Sequence, residues 1–214
     1  MKKPILLMFL ALVCNAAASS QSPTSYVVPG WGSECFILMR PTFTNKKLSG
    51  IGICYQIKED GKFENVWAID GEYSFPGHLF LCENGSILVR IVEISQDKAD
   101  SKKADLAQQT TLEFYRDGKL ISTISAREVV DPSKLKAPVF SAALSTHEVF
   151  DCDEAMAPRI GTLSYFDYFD EEDKTEIYKI TERGTQLFCV KTVQSEILVF
   201  KVSDGSLIYR KKLK

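Results

Sequence analysis

Short apolar runs punctuated by glycine turns make up most of the chain, and one such unit occurs twice. The first copy reads LFLCENGSILVRIVEI from Leu79 to Ile94 and, after an insertion, TLEFYRDGKLISTI from Thr111 to Ile124. The second reads EIYKITERGTQLFCVKTV from Glu176 to Val193, then EILVFKVSDGSLIYRKKL from Glu196 to Leu213. Each copy sets a Glu-x-Gly turn in one hairpin and an Asp-Gly turn in the next. A third Asp-Gly hairpin, GICYQIKEDGKFENVWAID, surrounds Asp60-Gly61, with aromatic and β-branched residues alternating with polar ones on both sides. Alternation of this kind marks half-buried strands, and Asp-Gly supplies the positive φ angles that tight hairpins need. The pattern predicts an all-β fold of antiparallel four-stranded meanders, with repeats at about 79–125 and 175–213 and one or two short helices.

The helical candidates lie between the strands. Ser125 to Val130 reads as a helical turn capped by Ser125 and stopped by Asp131-Pro132. Gln96 to Gln109, charged and without β-branched residues, reads as a solvated loop or a short surface helix inserted into the first copy. The stretch from Ser133 to Asp173 is the least regular, and its acidic run FDYFDEEDKTE reads as an exposed turn between strands.

The N-terminus speaks to compartment. A charged start, Met1-Lys2-Lys3, precedes an apolar run from Pro4 to Val13 that is too short to span a bilayer, and Asn15 to Ser19 offers a small-residue cleavage site. Residues 1–18 are expected to be a signal peptide, 19–25 a disordered polar spacer, and 26–214 a single β-rich domain, periplasmic or secreted. Cys14 raises the alternative of a lipid-modified cysteine, against which Val13 occupies a position that normally needs a small residue. No later stretch is apolar for long enough to be a membrane span.

A formal charge of −2 removes the electrostatic case for nucleic acid, because Lys and Arg concentrate only at Arg210-Lys211-Lys212 and Lys214. That tail reads as protection of an edge strand against aggregation. Apart from Cys14, the cysteines are Cys35, Cys54, Cys82, Cys152 and Cys189, an odd number with no zinc-type spacing. If the segments Cys35–Met39 and Ile51–Ile57 pair antiparallel about Asn45, Cys35 falls opposite Cys54, which makes that pair the disulfide candidate.

The stretch WAIDGEYSFPGHLFLCENGSILVRIVEI, from Trp67, followed by an extended strand, Asp-Gly and a final strand, resembles a group of uncharacterised secreted bacterial proteins. Its hairpins are similar to single blades of β-propellers. The resemblance implies blade-like sheets and carries no activity. At about 40 to 50 residues per blade the chain supplies four blades at most. The expected architecture is therefore an incomplete propeller, either an open blade-like stack or two packed sheets.

Candidate chemistry is sparse. His78 follows Phe75-Pro76-Gly77 and reads as a structural hydrogen-bonding residue. His147 lies near Asp151, Cys152, Asp153 and Glu154, a set with the elements of thiol or metal chemistry. The acidic run containing Asp167 and Asp170 offers oxygen ligands of the kind calcium takes, without the spacing of a calcium-binding loop; calcium is the one cofactor considered. Tyr165 and Tyr168, interleaved with those carboxylates, would present rings beside charge, as sugar- and peptide-binding surfaces do. His147, Asp151, Asp153, Tyr165, Tyr168 and Asp170 are accordingly the ligand-binding candidates, with no catalytic residue and no metal ligand assigned.

These features favour a non-catalytic binding or interaction protein whose partner is a protein, a peptide or a glycan. The alternatives are a glycosidase-like hydrolase that sets Asp151, Asp153 or Glu154 opposite the Asp167–Asp173 loop, and a structural protein that self-associates through edge strands, with Ile197 to Leu213 as the contact.

Overall fold

The computed structural model describes residues 23–30, 34–44, 47–71, 73–74, 78–92, 110–131, 144–151, 171–181, 184–192 and 194–213. Their strands form three antiparallel meanders of four. The first sheet orders β1 (Tyr26–Pro29), β2 (Cys35–Thr44), β3 (Lys47–Ile57) and β4 (Phe63–Gly71) side by side. The second does the same with β5 (Leu79–Cys82), β6 (Ile87–Ile91), β7 (Thr110–Arg116) and β8 (Lys119–Ser125). The third contains β9 (Leu144–Asp151), β10 (Gln186–Thr192), β11 (Glu196–Lys201) and β12 (Leu207–Lys212). Two short α-helices are described, α1 (Ala126–Val129) and α2 (Glu171–Ile180). The all-β class is as the sequence predicts, and of its two architectures the open stack is the one adopted.

The three sheets lie face to face like successive blades. Between the first and second sheets, Cys35, Ile37, Met39, Cys54 and Trp67 pack on Leu79, Leu81 and Leu88. The other face of the second sheet, with Ile87, Val89, Leu112 and Phe114, packs on Phe188, Val190, Leu198 and Phe200 of the third. Ile177 of α2 then covers Leu187, Cys189, Ile197 and Val199 on the third sheet's far face. The second and third sheets are thus apolar on both sides, which is why LFCV and ILVF are continuous hydrophobic runs.

All three Asp-Gly sites are turns, with Gly61, Gly118 and Gly205 at φ +78°, +77° and +73°. Only Asp117-Gly118 is the two-residue hairpin with positive φ at both residues, linking the paired residues Arg116 and Lys119. The other two are longer loops in which the Asp side chain accepts a backbone N–H two residues on, at 3.0 Å from Lys62 and 2.9 Å from Ser206.

Three expectations are corrected. The strand expected at Glu176–Thr181 is the end of helix α2, and β9, from the irregular segment, takes the fourth place in the third sheet. Part of the acidic run expected as a turn is the same helix: its carboxylates crowd the first turn and Lys179 sits in the last, as the helix dipole favours. The Cys35–Cys54 register also fails. Cys35 faces Gln56 and Cys54 faces Ile37, so the two cysteines are not cross-strand partners, and no disulfide joins them. The helical turn after Ser125 forms as expected, with Glu128 reaching back to the Ser125 amide at 2.8 Å.

Candidate functional site

How the sheets dock decides which surface remains open. Each later sheet presses an Asp-Gly turn against the sheet before it. A Cβ on Gly118 would lie 2.4 Å from the Ala68 carbonyl oxygen on β4, and one on Gly205 would lie 2.7 Å from the Phe114 ring and 2.8 Å from Ser122 Cβ. Arg116 adds a 2.8 Å hydrogen bond to the Ser203 carbonyl beside the second of these turns. Gly61, with the same backbone conformation, has nothing within 4 Å of the corresponding point. Among the described residues, the first sheet's buried side chains pack on a neighbouring sheet through one face only, the face that meets the second sheet.

The Glu83-Asn84-Gly85 turn locks the first two sheets together. Trp67 Nε1 donates to the Gly85 carbonyl at 2.8 Å, Cys54 Sγ to the same oxygen at 3.6 Å, and Cys35 Sγ to the Asn84 carbonyl at 3.1 Å. Glu83 and Asn84 hold left-handed backbone at φ 45° and 52°, a conformation costly for Glu. Gln186 of the third sheet accepts the Glu83 N–H at 2.7 Å, so all three sheets converge on this turn. Burial, with the neighbouring Cys35 and Asp117 adding to it, pushes the Cys54 thiol up to about 12. An internal polar group lies nearby: Tyr115 donates to Glu113 at 2.6 Å and Arg90 pairs with the same carboxylate at 3.2 Å. Burial and the Glu113 hydrogen bond push the Tyr115 phenol up to about 12. Glu113 thus ties the Tyr115 phenol to the Arg90 guanidinium.

The open side is the outer face of the first sheet. Strand alternation sends Cys35, Ile37 and Met39 inward, and Phe36 and Leu38 outward; on β3 it sends Cys54 inward, and Ile53 and Tyr55 outward. Phe36 and Tyr55 are cross-strand partners with stacked rings 5.3 Å apart, and Phe63 meets Phe36 edge-on at 5.3 Å. Phe63 is 62% exposed and Val27, on the opposite edge strand, 46%. The hairpin tip beside this patch carries Lys58 paired with Glu64 and Lys62 paired with Asp60 at 2.7 Å. An apolar sheet face with an aromatic cluster toward its β3–β4 hairpin end and a mixed-charge rim has the composition of an interaction surface.

The residues singled out from sequence do not meet here. His147 and Asp151 are on β9, opposite Val190 and Gln186, at an edge of the third sheet remote in topology from the open face. Asp153, Tyr165, Tyr168 and Asp170 lie outside the described residues, as do Cys152, Glu154 and Asp167. Of the acidic run, Asp173 is buried on α2, where it accepts hydrogen bonds from Tyr209 and Lys211 and fastens the helix to β12. Among the described residues no group of three or more His, Cys, Asp or Glu side chains is placed to hold a metal. The basic tail is also put to structural use: Arg210 bonds the Glu128 carbonyl and pairs with Glu196 at 3.5 Å. No described helix is long and apolar enough to cross a membrane.

The open face was missed although its signal is present. In CFILM every residue is apolar, so both faces of the first half of β2 are apolar, and ICY on β3 repeats the pattern. A strand with one solvated face alternates instead. No family model matches the chain, and no curated protein or solved structure matches it.

Proposed function

We propose that this is a periplasmic or secreted, non-catalytic binding protein that engages a macromolecular partner through the outer face of its first sheet. One observation carries the reading: Cys35–Met39 of β2 and Ile53–Tyr55 of β3 are apolar on both faces, yet among the described residues only the inner face packs on another sheet. Exposing a coherent aromatic patch costs solubility, and monomeric proteins seldom carry one without use for it. Proteins, peptides and glycans with an apolar face are the ligand classes that suit stacked rings beside paired charges. The charged start and small-residue cleavage site of the N-terminus support the compartment. The resemblance to secreted bacterial blade proteins supports it in the same way. Calcium stays a proposal that rests on the acidic run around Asp167 and Asp170.

The test is to screen the intact protein at high dilution against a displayed peptide library and a glycan array, in parallel with Phe63→Asp. Ligands held by the native protein and lost by the variant are the expected result. Ligands held equally by both place binding elsewhere and overturn the reading.

A further inference from the structure

We infer that the outer face of the first sheet pairs with the same face of a second copy of this chain, across a two-fold axis. The inference rests on the interaction-surface reading above and names its occupant. Every described sheet junction in the chain is made one way, with an apolar face against an apolar face and an Asp-Gly turn of the later sheet pressed on the earlier. The first sheet has the matching outward residues, Phe36, Leu38, Ile53, Tyr55 and Phe63, and the matching turn, with open space around Gly61. Among the described residues no sheet meets them.

The alternative arrangement, head to tail, would set this face on the third sheet of another copy. That site is filled. Helix α2 covers the third sheet's far face with Ile177 and is fastened by Asp173 to Tyr209 and Lys211. Among the described residues, a second copy therefore offers an open apolar sheet face through its own first sheet, which gives an isologous contact that closes at two.

Charge permits this. The hairpin tip lining the open face contributes Lys58 and Lys62 against Glu59, Asp60 and Glu64, so two copies of the rim meet without opposing like-charged blocks. In size, four strands about 4.8 Å apart and about seven residues long give a flat face of roughly 450 Å² on each copy. Two such faces bury about 900 Å² in all, the size of a weak, reversible contact.

Sedimentation equilibrium over a wide concentration range tests the inference, with the native chain, Phe63→Asp and Val27→Asp compared, and thermal unfolding run on each. Both positions are exposed at opposite edges of the face, so either variant that keeps its unfolding midpoint serves. The native chain is expected to shift from one to two copies, with Kd raised at least about tenfold in each folded variant. A native chain that stays monomeric to millimolar concentration overturns the second copy as occupant; ligand capture lost in Phe63→Asp would then still uphold the binding surface. A dimer that survives both substitutions overturns the inference as well.

Discussion

The three Asp-Gly turns are a matched set for measuring what the sheet contacts contribute. Gly61, Gly118 and Gly205 share φ near +75°, so replacing each by Ala imposes the same left-handed backbone penalty, of order 1–2 kcal/mol. Gly61→Ala adds nothing further, because its new methyl enters open space. Gly118→Ala drives the methyl to 2.4 Å from the Ala68 carbonyl oxygen, a backbone atom that cannot rotate away. The turn must lift from β4, at an overpacking cost of about 1–3 kcal/mol on top of the backbone term. Gly205→Ala meets the Phe114 ring and Ser122 side chain at 2.7–2.9 Å, and those side chains can yield partly, so its cost falls between the other two. Urea unfolding followed by Trp fluorescence reads all three. With a slope of about 3 kcal/mol per M, Gly118→Ala lowers the midpoint by roughly 1 M and Gly61→Ala by about 0.3–0.7 M. Equal losses at Gly61 and Gly118 would refute the docking of one sheet's turn on the next.

Further outcomes follow from the same contacts. Phe114→Ala removes a fully buried ring that packs on Phe188 and Phe200, and should cost about 3–5 kcal/mol in the same titration. Gln186→Ala withdraws the acceptor of the Glu83 N–H and should cost about 1–3 kcal/mol, with the amide exchange of Glu83 accelerated by NMR. Alkaline pH should destabilise the fold. The folded Cys54 thiol and Tyr115 phenol are raised to about 12 from ordinary values of 9.0 and 10.0, so their contribution is complete below pH 9 and is lost as pH climbs toward 12. Unfolding midpoints measured between pH 7 and 12 should fall over the upper part of that window; a flat profile contradicts it. Cys54 should also resist iodoacetamide at pH 8 in the native protein and react once urea unfolds it, as read by peptide mass spectrometry.

Much of the architecture was legible because local chemistry and tertiary structure agree at the turns. Asp-Gly can hardly be used except where the chain reverses, and each of the three does mark a reversal. The fourth strand of the third sheet was not legible for the opposite reason. EIYKI is apolar at three of five positions where LFLC in the first copy is apolar at all four, and likeness between the copies suggested a strand. The carboxylates before it and Lys179 near its end favour a helix, and covering the third sheet's far face rewards one. The cysteine register failed by two residues because the β2–β3 hairpin pairs Thr44 with Lys47. A shift that small moves partners without changing which face they share, so Cys35 and Cys54 still line the same interface. The open face escaped notice because an unbroken apolar run reads the same whether its second side is covered or waiting. The exposure of Phe63 and Val27, set beside the empty space at Gly61, separates the two.

Residue-resolved hydroxyl-radical footprinting of the intact chain at nanomolar concentration tests the open stack most directly. Phe63 should be oxidised readily while Phe114, Phe188 and Phe200 stay protected until global unfolding. Protection of Phe63 at that dilution, or oxidation of Phe114 while the fold is intact, would contradict a three-sheet stack with one uncovered face.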